Sequence, residues 1–130
     1  MKAQLKSHIK EIVYYLFRNK LSEIHKFYNT CHGEDCYIFA DGVSIKSMDI
    51  KAFSDKKSIA CNFFPFHNDF PNINCQYCVV AEPWWFSPFG GYRPMERDLL
   101  IATSKEYKDL IDQYSDRNYF INLSNYPFMR

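Results

Sequence analysis

The sequence predicts an α+β domain in which a long N-terminal helix and a short C-terminal helix pack on a largely antiparallel sheet. Three observations carry that expectation. Apolar residues recur at steps of three and four through the first thirty positions, β-forming residues flank Asp41-Gly42, and Thr103 stands three residues before Glu106. With 130 residues, 47% apolar and 24% charged, the chain has the usual size of one domain, so residues 1–130 are expected to form a single globular unit. Four glycines, six prolines and nearly balanced charge exclude collagen-like and disordered classes. The longest uninterrupted apolar run, Ile12 to Phe17, is far shorter than the ~20 residues of a membrane-spanning helix.

The first element is a helix whose apolar stripe comprises Leu5, Ile9, Ile12, Val13, Leu16, Phe17, Leu21, Ile24 and Tyr28. Lys2, Lys6 and Lys10 repeat on another face, as a solvated surface. Asn29-Thr30 and Gly33 end the helix. Residues 36–40 and 43–46 then read as a hairpin, because Asp-Gly suits a type I′ turn in which both central residues need positive φ. Residues 58–64 and 77–81 follow as strands. Five of the six prolines (65, 71, 83, 88 and 94) fall in 65–76 and 82–97, which read as two long loops. Leu99 to Ala102 is expected as a buried strand, Thr103 to about Tyr114 as a capped helix with Leu110, Ile111 and Tyr114 inward, and 118–123 as the last strand.

Charge is unevenly spread. Residues 1–30 carry Lys2, Lys6, Lys10, Arg18, Lys20 and Lys26 against Glu11 and Glu23, a net +4, and the remainder carries ten basic and thirteen acidic groups, a net −3. A dedicated nucleic-acid binder shows a strong basic excess, so this balance argues against nucleic acid as the partner. Five cysteines cannot all pair within the chain, and the first residues lack the apolar core and cleavage site of a secretory signal. Both features point to a reducing cytoplasm.

The motifs that carry nucleotide or hydrolase chemistry, Gly-x-Gly-x-x-Gly, Gly-x4-Gly-Lys-Ser/Thr, Gly-x-Ser-x-Gly and His-Glu-x-x-His, do not occur. Cys75-x-x-Cys78 has zinc-knuckle spacing, and Cys31, His32, Cys36, Cys61 or His67 could complete a tetrahedral set. Yet Cys31 and Cys36 are spaced too widely for a second pair, and Cys36 and Cys78 border apolar strands where cysteine is an ordinary small core residue. No metal or other cofactor is therefore expected. A redox role for Cys75-x-x-Cys78 is disfavoured because no lysine or arginine lies between Lys57 and Arg93 to lower a thiol pKa. Asp41 with Asp49-Ile50-Lys51 faintly resembles a metal-dependent nuclease pattern. Acidic-x-Lys also occurs at Asp55/Lys57 and Glu106/Lys108, so the spacing carries little information. Cysteine–histidine pairs involving His8, His25, His32 or His67 are conceivable, but no catalytic residue is assigned.

Aromatic content stands out: ten Tyr, twelve Phe and two Trp make 18% of the chain, and they crowd into the two proline-rich loops. Loops are normally polar, and exposed rings usually mark a partner surface. Trp84, Trp85, Phe86, Phe89, Tyr92 and Arg93 are accordingly the expected partner-binding residues, Trp, Tyr and Arg being typical interface anchors. The expected function is a small non-enzymatic protein-binding module with another protein as its partner, an accessory protein of the bacterial or phage immunity or inhibitor type. The alternatives are a small enzyme (metal-dependent nuclease or Cys/His hydrolase) and a zinc-binding or single-stranded nucleic-acid-binding module.

Overall fold

A computed structural model describes residues 2–82, 85–86, 94–123 and 125. Contacts divide the chain into two compact units, Met1–Glu34 and Asp35–Arg130. In the first, helix α1 spans Lys2–Ser22 and tightens into a 3-10 turn at Glu23–Phe27. The exit needs left-handed backbone at two positions. Asn29 (φ 58°) and Gly33 (φ 77°) supply it, the residue types for which that region costs least.

Among the described residues the second unit holds one sheet of four strands: β1 (Tyr37–Phe39), β2 (Ser58–Cys61), β3 (Cys75–Val80) and β4 (Asn118–Ile121). Its spatial order is β1-β2-β3-β4 and every pairing is parallel. This overturns the expected antiparallel sheet, and Gly42 shows why. A type I′ turn needs positive φ, whereas Gly42 has φ −64° and ψ 154°, an extended conformation. Val43–Ser47 then coils into a 3-10 turn rather than returning as a strand. The chain runs on through a second such turn at Ile50–Phe53 and enters β2 parallel to β1.

A parallel neighbour requires a crossover, and three are made. Two are short, built from 3-10 turns at Val43–Ser47 and Ile50–Phe53 and at Phe64–Phe66 and Phe70–Asn72. The third contains helix α2, Pro94–Gln113. The expected strand at Leu99–Ala102 is part of α2, and the expected short helix is 20 residues long. Four apolar residues in a row fit a buried strand and a helix turn equally well. Proline at the first helical position, where its missing N–H costs nothing, marks the true start. Thr103 and Glu106 consequently lie inside the helix and cap nothing.

All three crossovers pack on the same face. Ile50 from the first and Phe64, Phe70 and Ile73 from the second are buried with Phe39, Ala60 and Cys78 of the strands. Tyr107 of α2 is buried with Val80, Trp85 and Phe86, and Leu100, Ile111 and Ile121 flank them. Successive steps in one direction with one handedness put every connection on one side, as the right-handed rule requires. The alternate strand positions differ: Ile59, Cys61, Tyr77 and Val79 are half-buried and Ile38 is exposed.

Rings fill the buried face. Phe39 stacks on Phe64 at 4.9 Å, Phe64 meets Phe70 edge-on at 6.2 Å, and Phe70 meets Tyr114 at 5.2 Å. The Arg117 guanidinium lies 4.0 Å above Phe70, and its Nη2 donates to the Phe70 carbonyl at 3.3 Å. At the carboxyl ends of β2 and β3 the closure is polar. Asn62, with φ 49°, accepts the Ala81 N–H through Oδ1 at 3.2 Å, and its carbonyl accepts the Tyr107 hydroxyl at 2.8 Å.

Phe70 is fully buried and touches ring partners from two elements, so Phe70→Ala should cost on the order of 3–5 kcal/mol. Exposed Ile38→Ala should change stability by less than ~0.5 kcal/mol. Urea unfolding of the two variants checks the contrast, and equal losses would contradict this assignment of core and surface.

Candidate functional site

Of the six expected partner-binding residues, Trp84, Phe89, Tyr92 and Arg93 lie outside the described residues. Trp85 and Phe86 are described, and the fold consumes both. Trp85 packs 4.3 Å from Phe63 and 6.1 Å from Tyr107, and Phe86 meets Tyr107 at 5.7 Å. The Phe86 N–H donates to Oδ1 of fully buried Asn125, whose Nδ2 donates to the Glu82 carbonyl. These two rings close the core over α2 and are withdrawn from the candidate interface. Sequence alone could not separate them from their neighbours, because a ring that seals a sheet and a ring that grips a partner have the same composition.

The thiols come closer together than their spacing suggests. Between Ser58 and Ile59 the β2–β3 register slips: Ser58 pairs with Cys75 but Ile59 with Tyr77, leaving Gln76 as an extra residue. This bulge brings Cys75 into the same buried cluster as Cys78 although they stand three apart. A hydrogen bond from the Cys78 thiol pulls Cys75 down to about 7, against the opposing effect of burial, with help from the Ser58 hydroxyl and the Arg117 charge. The same hydrogen bond and burial push Cys78 well up. Arg117 is the basic group that sequence reasoning missed. It is remote in the chain and approaches only because β4 pairs with β3. Cys75 and Cys78 are nonetheless sealed in the core, so no substrate reaches them. Among the described residues no three His, Cys, Asp or Glu side chains gather into a metal site.

Two of the other candidate polar groups, His67 and Lys51, have structural partners. His67 accepts the Asp69 N–H through Nδ1 at 3.2 Å, and its ring stacks on Phe64 at 5.6 Å. Lys51 of the nuclease-like pattern lies 3.4 Å from Asp69. Open parallel sheets bind ligands in the crevice where the strand order reverses. The order β1-β2-β3-β4 contains no reversal, so this sheet forms no such crevice.

A group of exposed apolar side chains lies on α1. Ile12 is 59% exposed, Tyr14 and Tyr15 are each 65% exposed, and Leu16 is 69% exposed. Ile12, Tyr15 and Leu16 follow the i, i+3, i+4 pattern that aligns side chains along one strip of a helix. Arg18 extends over the Tyr15 ring at 4.9 Å, which holds a charge beside that strip. Ile12 and Leu16 belong to the apolar stripe that periodicity reads along this helix, Tyr14 and Tyr15 do not, and all four are exposed. Ile38, Val43 and Leu99 are further exposed apolar groups in the second unit.

Comparison with family models, with curated proteins and with solved structures finds no match to this chain.

The buried tyrosine hydroxyls make stability sensitive to base. Burial raises the pKa values of Tyr107 and Tyr119 above the ordinary 10.0, so above about pH 10 the unfolded chain releases protons that the folded one keeps. Stability present below that pH is lost as pH rises. The urea midpoint should therefore fall from about pH 9 to pH 11, and Tyr107→Phe should flatten the fall by up to ~1.4 kcal/mol per pH unit, one proton's worth. A Tyr107→Phe profile as steep as the parent's would show that this hydroxyl is not held protonated.

Proposed function

We propose that the chain is a non-enzymatic protein-binding module that acts by occupying a surface of another protein, in the manner of immunity and inhibitor proteins. One observation carries this reading: α1 displays Ile12, Tyr14, Tyr15 and Leu16 to solvent, all more than half exposed and within five consecutive residues. Clustered exposed apolar surface on a small domain usually marks a contact site. Tyrosine is among the residues enriched at binding hot spots. Trp84, Phe89, Tyr92 and Arg93 belong to the same proposal as a second contact, on the strength of their residue types. A cytoplasmic setting is also part of it, supported by the free thiols of Cys61, Cys75 and Cys78. No described helix is long and apolar enough to cross a membrane.

The test uses the partner that co-purifies with the tagged chain from its source cell, re-purified and titrated against the chain by calorimetry. Leu16→Asp and Tyr15→Ala should each weaken binding by roughly 2 kcal/mol or more while shifting unfolding stability by no more than ~0.5 kcal/mol. A chain that recovers no protein partner, or that binds one equally well with both substitutions, would overturn the proposal.

A further inference from the structure

Resting on that reading, we infer that α1 is the docking helix and that its occupant is a groove on a partner protein, apolar at the floor and acidic at the rim. Among the described residues of α1 the strip consists of Ile12, Tyr15 and Leu16, and the segment that carries it is rich in charge. Residues 1–30 carry six basic groups against two acidic ones; Arg18 and Lys26 are exposed, whereas Lys20 is paired with Glu23 at 2.8 Å. Complementary potential steers such an encounter and suppresses like-charged partners. An amphipathic helix laid in a groove reads through anchors at i, i+3 and i+4, which Ile12, Tyr15 and Leu16 provide.

The same charges argue against the other occupants. A second copy of α1 would bring two +4 segments together. Like-charge juxtaposition of that kind opposes association. A lipid surface contacts one side of a helix and requires a segregated apolar face. Here Tyr14, two residues from Ile12, projects about 200° around the axis from it, and both are exposed. A groove that embraces the helix reaches both. Nucleic acid would leave Ile12, Tyr15 and Leu16 in water, because phosphate contacts engage only the basic groups.

The experiment places a photo-reactive p-benzoylphenylalanine at Leu16 in the full-length chain. The purified chain is irradiated in source-cell lysate and its adducts are mapped by mass spectrometry. A control carries the same probe at Asp112 on the exposed side of α2. The expected result is a protein adduct at position 16, absent from the control, whose cross-linked segment is flanked by an excess of Asp and Glu. Its yield should fall at least about tenfold in the Arg18→Glu/Lys26→Glu variant, with the melting profile unchanged, and should fall similarly in about 1 M salt, where the screening length is about 3 Å. Adducts to lipid, to nucleic acid or to a second copy of this chain would overturn the inference. So would a protein segment without acidic excess, or a yield indifferent to charge reversal. If a partner co-purifies and position 16 gives no adduct, the acidic-groove inference fails while the binding-module reading stands. If no partner is recovered at all, both fail.

Discussion

A strand that re-enters a sheet parallel to its predecessor must be carried back across one face of that sheet, and every other feature of residues 35–130 follows from this. The chain meets the requirement three times, always stepping to the next position and always over the same side. Parallel pairing itself is fixed by one backbone choice at Gly42, which stays extended where a hairpin would need it left-handed. Once β1 fails to turn back, Ile50 and Phe53 are carried over the sheet instead of extending it, and a one-sided core becomes the only place to bury them.

The high aromatic content has a structural explanation in the same constraint. Two of the three crossovers are only 3-10 turns, too short to present the continuous apolar face of a helix. Single large rings reach the sheet where a helix would have offered several aliphatic side chains, and each buries far more surface per residue. Phe64 and Phe70 do this from the second crossover, with Arg117 placed over Phe70 so that its charge is partly met by the ring and by a carbonyl. Trp85 and Phe86 do the same beside α2. Rings that composition singles out as recognition elements are thus needed first for packing. The polar groups at the strand ends follow suit: Asn62 and Asn125 spend their side chains satisfying backbone at Ala81, Glu82 and Phe86.

The first unit follows the opposite logic. Its helix keeps large apolar groups in water, where each forgoes the stabilisation that burial provides. Surface of this kind contributes little to the chain's own fold, which is why the proposed contact starts from α1 and takes the aromatic loop as its second part. On the proposed reading, the basic excess of the same thirty residues would favour acidic partners and lose that effect in salt.

The sequence by itself determined whatever depends on near neighbours in the chain. The period of three and four in 1–30 specified α1, and Asn29 and Gly33 marked its end, because left-handed backbone is cheap only for such residues. The β-forming runs at 36–40, 58–64, 77–81 and 118–123 announced the strands observed at 37–39, 58–61, 75–80 and 118–121, although not their direction. Direction, face and neighbourhood were left to the tertiary structure. Asp41-Gly42 permits a tight turn but does not compel one, and Leu99–Ala102 became helix because joining β3 to a parallel β4 demands a long crossover. The Cys75–Cys78 contact required a one-residue bulge, and the charge that helps to lower the Cys75 pKa came from Arg117, remote in the chain and just before β4. Which apolar groups are buried was likewise decided between elements. Hydrophobicity states only that a side chain gains by leaving water, and the packed sheet determines which of the competing rings find room.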